Sequence, residues 1–338
     1  MLHLQIAASR RAPYQIARNP VLSRANANSI QPCLLVRRKK RPAFPIRTNN
    51  KGCTRVNKYS TSRTAFRSSL RISCSEDEED ENPHYEGAAQ IVVDSYIRSG
   101  MTVGMGASSK LCRSVISYVG EKLSQGTLKD IKAVPASSLA ASEASFAGIP
   151  LTSLTEHPTL DFAFDGADEV DNNIGTLPVI KGRRRAPVQP NLLLERKIAA
   201  AAEMYVVLVD DDNVVDALGG EVPVLVDCEI WEDVAEDLDD IFIGDASIWR
   251  RPESGRAPPH GGEQPMITLE KHNMLDLTFE GALPEKAEDI VKAIEGVEGA
   301  VDHGLFIDMV YAAVTIGKDG FRTLSPFLKG VEVTDFEA

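Results

Sequence analysis

The sequence predicts an α/β protein: a mostly parallel sheet covered by helices on both faces, with a smaller α+β unit in its second half. Three observations carry this. Short apolar strands alternate with helical spacing from Tyr85 to Ala147, which implies parallel strands joined by crossover helices. The texture changes at Glu221, where residues begin to alternate as in a half-exposed strand. A hydrophobic content of 43% over 338 residues is ample for a large core.

In order, Ala88, Val92 and Tyr96, with Ala89 and Val93, recur at helical spacing within a helix from Tyr85 to Arg98, closed by Gly100. Met101 to Met105 reads as a strand, Gly104 to Lys110 as a tight loop, and Leu111 to Leu123 as a helix burying Val115, Ile116, Val119 and Leu123. Ile131 to Val134 is a second strand and Ala140 to Ala147 a small helix stopped by Gly148 and Pro150. Ile149–Leu154 and Leu160–Phe164 are short apolar segments. Asn191 can cap a helix running to Met204. Tyr205 to Val209 is a buried strand, and Asp210 to Asn213 opens a short helix ending at Leu218-Gly219-Gly220. In the α+β unit, strand 222–229 precedes an acidic helix, Asp233 to Asp240, and a mobile loop rich in proline and glycine over 250–265. Met266–Leu269 and Met274–Phe279 form two antiparallel strands. A helix (Pro284 to Ile294) and short strands at Leu305–Phe306 and Ala313–Ile316 return the chain to the larger unit. The expected division is therefore 85–220 with 281–325 for the α/β domain and 221–280 for the small one.

Charge divides the chain sharply. Residues 1–74 hold sixteen Lys or Arg and no Asp or Glu, leaving 21 of the 37 basic residues against all 49 acidic ones in the remainder. An Arg- and Ser-rich, acid-free N-terminus has the composition of an organelle transit peptide. Ile72-Ser73-Cys74-Ser75 resembles a chloroplast processing site, which places the mature protein in the plastid stroma. A basic nucleic-acid arm or a tail is the alternative for the run Arg37–Arg41. Glu76 to Glu81 repels itself and reads as the solvated, disordered start of the mature chain, 75–84. The acidic body excludes nucleic acid as its partner, and no apolar run is long enough to span a membrane. Cys33, Cys53 and Cys74 fall in the N-terminal segment, and Cys112 and Cys228 lack any zinc or disulfide spacing.

Two loops carry chemistry. Gly104–Lys110 joins a strand to a helix, and such a turn offers backbone N–H groups and a positive helix end to a phosphate. Ala107, Ser108, Ser109 and Lys110 are its candidate binding residues. The second is Asp161-Phe-Ala-Phe-Asp165-Gly-Ala-Asp168-Glu-Val-Asp171-Asn-Asn173, which follows a strand. Open α/β sheets bind ligands at the carboxyl ends of their strands, although Asp, Gly and Asn are also ordinary turn residues. Asp165 and Asp168 can split their pKa values into an acid and a base, and Lys181 can stabilise an oxyanion. The same carboxylates with Asp171 would equally suit Mg²⁺.

Gly100-Met-Thr-Val-Gly-Met-Gly-Ala-Ser-Ser109, the Asp161–Asp171 string, Ile180-Lys-Gly182, Arg196-Lys-Ile-Ala-Ala200 and Asp302-His-Gly-Leu-Phe306 occur in the order of the landmarks of type A ribose-5-phosphate isomerases. The chain resembles that family over about 85 to 325, and with its N-terminal segment it resembles a plant plastid member. The resemblance implies a doubly wound sheet with a smaller ferredoxin-like domain, no metal or other cofactor, and a small-molecule sugar phosphate as partner. It further implies a homo-oligomer or association with other isomerase subunits. The reaction implied is proton transfer between C1 and C2 of ribose 5-phosphate through an enediolate. Asp165, Asp168 and Lys181 would serve the reaction with Glu195 as base, and Ala107–Lys110 and Gly182 would face the substrate.

Four departures bear on the site. The family's Gly-Thr-Gly-Ser-Thr loop is Gly106-Ala-Ser-Ser-Lys110 here, and its glycine run after the lysine is Arg183-Arg184-Arg185-Ala186-Pro187. A family lysine after the next strand corresponds to Asn213. The family's Arg-Glu-Lys-Ile is Glu195-Arg196-Lys197-Ile198, and one helical position is about 100° of rotation. If Lys197-Ile198 sets the register, Arg196 takes the place of the base and Glu195 points elsewhere. A catalytically impaired homologue acting as a sugar-phosphate binder or regulatory partner, with the three arginines as an anion clamp, is the alternative. A related sugar-phosphate or acyl-CoA enzyme on the same fold is a third reading.

Overall fold

The computed structural model describes residues 84–172, 176–183, 191–253, 264–318 and 320–325. The expected transit segment, the acidic start up to Pro83, the loop from Arg184 to Pro190 and most of the proline-rich loop lie outside the described residues.

Helix α1 (Tyr85–Tyr96) and strand β1 (Thr102–Met105) lead into α2 (Lys110–Ser124), β2 (Lys132–Pro135) and α3 (Ser138–Phe146). Next come β3 (Phe162–Asp165), the short β4 (Glu169–Asp171) and β5 (Val179–Ile180), and α4 (Leu192–Ala201). The chain continues through β6 (Tyr205–Asp210), β7 (Val214–Val215), β8 (Gly219–Asp227), α5 (Trp231–Ile241), β9 (Ala246–Arg250) and β10 (His272–Ala282). It closes with α6 (Ala287–Glu295), β11 (Ala300–His303), β12 (Leu305–Phe306), β13 (Ala312–Gly317) and β14 (Gly320–Leu324). Among the described residues no helix is long and apolar enough to cross a membrane.

The main sheet has the order β14-β13-β6-β3-β1-β2. Its strands pair in parallel except for β14, which runs antiparallel on β13 at the edge. Successive strand residues point to opposite faces, and the burial follows this rule. Val206 and Leu208 join the core under α1 and α2, whereas Tyr205, Val207 and Val209 join the core under α4. Both faces are therefore covered, which is why these strands are almost wholly apolar. Ser109 and Ser137 cap α2 and α3, accepting from the N–H groups of Cys112 and Ala140, and Asn191 caps α4 by accepting from Leu194 N–H.

The smaller antiparallel sheet has the order β11-β8-β10-β9. Its chain sequence is strand, helix, strand, strand, helix, strand, which is the ferredoxin-like arrangement. It encloses its own core, with Val222, Val224 and Leu277 against Val234, Leu238, Ile290 and Ile294. The expected boundaries at 221 and 280 are corrected by this pairing. Helix α6 and β11 belong to the small sheet because β11 pairs with β8, so the unit runs from Gly219 to His303. Strand β9, in a stretch to which the sequence assigns no element, is its edge.

Two further expectations change. Asp211–Asn213 makes one 3₁₀ turn rather than a helix to Leu218, because Val214 and Val215 pair with Val170 and Asp171 instead. Residues 266–269 make only an isolated bridge, Ile267 with Asn273, before β10.

A third, small sheet of order β12-β5-β4-β7 positions the site. Strands β4 and β5 run antiparallel, so the chain leaves the carboxyl end of β3 and returns to it. Asp168 N–H donates to Ile180 O at 2.8 Å, and Lys181 N–H donates to Gly304 O at 2.8 Å. Lys181 is thereby brought back beside Asp165.

Candidate active site

At the carboxyl end of β3 the chain turns sharply against the β1–α2 loop. Two glycines permit it. A Cβ on Gly106 would lie 2.0 Å from the Asp165 carboxyl carbon, and one on Gly166 would lie 2.4 Å from Ser108 Oγ. Ser108 Oγ accepts from Gly166 N–H at 2.8 Å, and Asp165 Oδ1 accepts from the same N–H at 2.9 Å. The Ser108 hydroxyl therefore holds the turn. A Gly166→Ala variant is expected to lose about 1–3 kcal/mol of stability through overpacking, read as a lowered midpoint in urea. An unchanged midpoint would show that the loop yields freely.

Ser108, Asp165 and Gly166 line a cavity of about 130 Å³, together with Ala107, Ser109, Asp168, Lys181, Gly182, Glu195 and Asn213. Lys181, only 2% exposed, is its electrostatic centre. Its Nζ lies 2.6 Å from Asp165 Oδ2 and 2.9 Å from Glu195 Oε2, and it donates to Tyr205 Oη at 3.2 Å. The Phe306 ring sits 5.4 Å away. One ammonium thus holds two carboxylates, and all three side chains are buried.

The environments separate those carboxylates. Burial pushes the Glu195 carboxyl up, and the neighbouring charge of Asp165 adds to this against the pull of Lys181. Burial also pushes Asp165 up, but Lys181 and the hydrogen bonds from Ser108 and Gly166 outweigh it and hold the carboxyl below its usual value. Burial alone would lower Lys181; Asp165 and Glu195 keep it well above the ordinary lysine value. The buried Cys112 thiol is pushed up to about 11 by burial, which makes it a poor nucleophile.

The helix register overturns one expectation from the sequence. Burial of Leu192, Ile198 and Ala199 fixes how α4 lies on the sheet. Ile198 packs where a Cβ on Gly104 would be 2.5 Å from its Cγ2. In that register Glu195, not Arg196, faces Lys181. Arg196 turns to the other side, with Nε 2.5 Å from Asp302 Oδ1 and its guanidinium carbon 4.3 Å from the centre of the Phe306 ring.

Other candidates move too. Lys110 does not line the cavity; its Nζ lies 5.9 Å from the centre of the Tyr85 ring, at the first turn of α2. Ala107, Ser108 and Ser109 do line it, as does Gly182, whose φ of +94° and close packing on Leu192 suit only glycine. Arg183 is not an anion clamp over the cavity. Its side chain donates to Glu169 Oε1 at 2.6 Å and to the carbonyls of Glu221 and Gly219. Arg184 and Arg185 lie outside the described residues. The carboxylates proposed for Mg²⁺ are otherwise engaged at Asp165, and the described residues contain no group of three His, Cys, Asp or Glu that could hold a metal ion.

Sequence reading missed Tyr205, Phe306 and the buried Arg251. Tyr205 opens an apolar strand, and a buried phenol needs a hydrogen-bond partner; that was the available signal.

An open α/β sheet that delivers buried carboxylates and a lysine to the carboxyl ends of its strands has the layout of an acid–base enzyme. Residues 132–320 match the family described as ribose 5-phosphate isomerase A (phosphoriboisomerase A). The chain belongs to the ribose 5-phosphate isomerase A family. It is 34% identical over 243 residues to a probable ribose-5-phosphate isomerase 3, chloroplastic, of Arabidopsis thaliana, covering 70% of this chain and 81% of that one. It is 35% identical to ribose-5-phosphate isomerase A of Gluconobacter oxydans, over 73% of this chain and 98% of the relative. Among solved structures, the Plasmodium falciparum ribose 5-phosphate isomerase superimposes with a TM-score of 0.62 at 28% identity, covering 72% of this chain and 98% of its own. A D-ribose-5-phosphate isomerase in complex with phospho-erythronic acid gives 0.60 at 29% identity, covering 72% and 97%.

Proposed function

We propose that this chain interconverts ribose 5-phosphate and ribulose 5-phosphate through an enediolate, with Glu195 as the base. The observation that carries the reading is the Glu195 carboxylate inside the cavity, 2.9 Å from Lys181. A base for carbon acids works best when its pKa approaches the working pH, and burial moves Glu195 that way. Glu195 takes the proton from one carbon and returns it to the next. Lys181 stays protonated under the influence of Asp165 and Glu195 and donates to the oxygen on which charge develops. Asp165 keeps that ammonium charged and in place. Asp168, half-buried in the cavity wall, takes a sugar hydroxyl and assists ring opening. The phosphate meets the N-terminal end of α2, where Ala107, Ser108 and Ser109 line the wall. The complex of a related isomerase with phospho-erythronic acid supports a phosphorylated, acyclic sugar skeleton as the occupant.

The impaired-binder reading rested on a displaced base together with the altered phosphate loop and the arginines after Lys181, and with Glu195 facing Lys181 it loses the first of these supports. The acid-free N-terminal 74 residues and the chloroplastic relative support delivery of the chain to a plastid.

The test is incubation of the purified protein with ribose 5-phosphate in D₂O, followed by NMR. Ribulose 5-phosphate should appear at roughly 1–10³ turnovers per second, with deuterium entering at the exchanged carbon. A folded protein that forms no ketose would sink the proposal.

A further inference from the structure

The geometry points to Arg251 as a positioning residue that acts on Asp168 through the Gly182–Arg183 peptide. This rests on the reading of Asp168 as part of the reacting site.

Arg251 comes from the small ferredoxin-like unit, directly after β9, and is 0% exposed. A buried guanidinium is tolerated only when its donors are matched. Here its Nε and Nη2 grip the two oxygens of Asp276 on β10, with Nε at 2.9 and 3.1 Å. Nη2 also reaches Glu221 Oε1 at 3.3 Å. That fork fixes the plane of the guanidinium and aims Nη1 at the carbonyl of Gly182, 2.8 Å away.

Gly182 follows Lys181 and has the positive φ of +94°, so little steric preference of its own sets how its carbonyl points. A trans peptide is planar, with its C=O and N–H directed to opposite sides. Once Arg251 holds the carbonyl, the N–H of Arg183 must face the other way. It donates to Asp168 Oδ2 at 2.9 Å. The small unit thus reaches across one peptide to set a carboxylate in the cavity wall. Nothing else in the sequence of either domain marks Arg251, because the coupling runs through a backbone group rather than through side-chain spacing.

The experiment is a double-mutant cycle. Arg251→Met with Asp276→Leu removes the buried pair together, a replacement that buried ion pairs often tolerate. This paired variant is made alone and in an Asp168→Ala background, with folding checked by circular dichroism and thermal midpoint. The expected result is a fall in kcat/KM of about ten- to a hundredfold in the otherwise unaltered chain, and under about twofold in the Asp168→Ala background, because the groups act as a unit. The same factor in both backgrounds, or none in the first, would overturn the inference and leave Arg251 a packing residue. If the pair cannot be removed without unfolding, Arg251→Lys takes its place in the cycle. It keeps a charge on Asp276 but cannot span Asp276 and Gly182 with one planar fork.

A second readout does not depend on turnover. Amide hydrogen exchange at Arg183 should speed up by about tenfold in the paired variant, as expected for release of one charge-assisted hydrogen bond. Unchanged protection would overturn the inference even in an active enzyme. Conversely, faster exchange in a protein that does not isomerise ribose 5-phosphate would keep the peptide relay and remove the proposed reaction.

Discussion

Glu195→Gln is expected to lower kcat for ribose 5-phosphate by about 10²–10⁴-fold, the usual contribution of a positioned general base, with KM nearly unchanged. The amide keeps the size of the carboxylate and an oxygen that can accept from Lys181 in place of Oε2; only the long 3.4 Å contact from Asn191 N–H to Oε1 is given up, so the fold and the cavity should persist. Only the ability to take a proton is lost. The pH profile supplies an independent reading. Burial and Asp165 raise the Glu195 pKa, so the basic form is lost as pH falls at a point above the ordinary glutamate value of about 4.3. In the parent enzyme the acid limb of kcat should sit above that value, and in Glu195→Gln this limb should vanish from the residual rate. The exchanged order of residues gives a control. Glu195→Arg combined with Arg196→Glu restores the family's order in sequence, yet it should be no more active than Glu195→Gln. It would aim the new carboxylate at Asp302 and drive an arginine against Lys181. Full activity in the exchanged variant would show that α4 can rotate and that position 196 carries the base.

That control marks where the sequence stopped being legible. The Asp161–Asp171 string, Lys181 and the loop at Ala107–Ser109 could be read because each follows a short apolar strand, and strand ends in a parallel sheet converge. The helix register could not be read in the same way. It depends on how deeply Leu192, Ile198 and Ala199 settle against the sheet, a tertiary matter that a string comparison of Glu-Arg with Arg-Glu does not contain. Arg183 failed for a related reason. Its charge suggested an anion clamp, but its partners are Glu169 on β4 and the carbonyls of Gly219 and Glu221 on β8, 14 to 38 residues away in sequence. The end of the small unit was misplaced at residue 280 because β11 belongs to it only through pairing with β8, which starts at Gly219 whereas β11 starts at Ala300. Local signals placed the carboxylates; long-range packing decided which of them share a proton environment.

Lys181→Met should produce the largest combined loss, in both activity and stability. Removing an oxyanion donor costs about 10²–10³ in kcat, and here the same ammonium also neutralises two buried carboxylates. Breaking a buried ion pair on one side typically destabilises by about 3–5 kcal/mol, equivalent to a fall in Tm of about 10 °C for a unit of this size. The sign of its pH dependence follows from the groups left behind. In the parent, the lowered Asp165 carboxyl contributes stability above its unfolded value, which is lost as pH falls through the folded value. Raised Lys181 contributes stability below its unfolded value, lost only as pH climbs through the folded one. Without the ammonium, burial and mutual repulsion raise both carboxyls, and a raised carboxyl favours folding in acid and ceases to do so as pH climbs. The deficit in Tm relative to the parent should therefore be greatest near pH 8 and shrink toward pH 5. Thermal melts of both proteins across that range measure it directly. A deficit independent of pH would mean that Asp165 and Glu195 do not depend on Lys181 for their charge, and the shared-ammonium account of the site would fail.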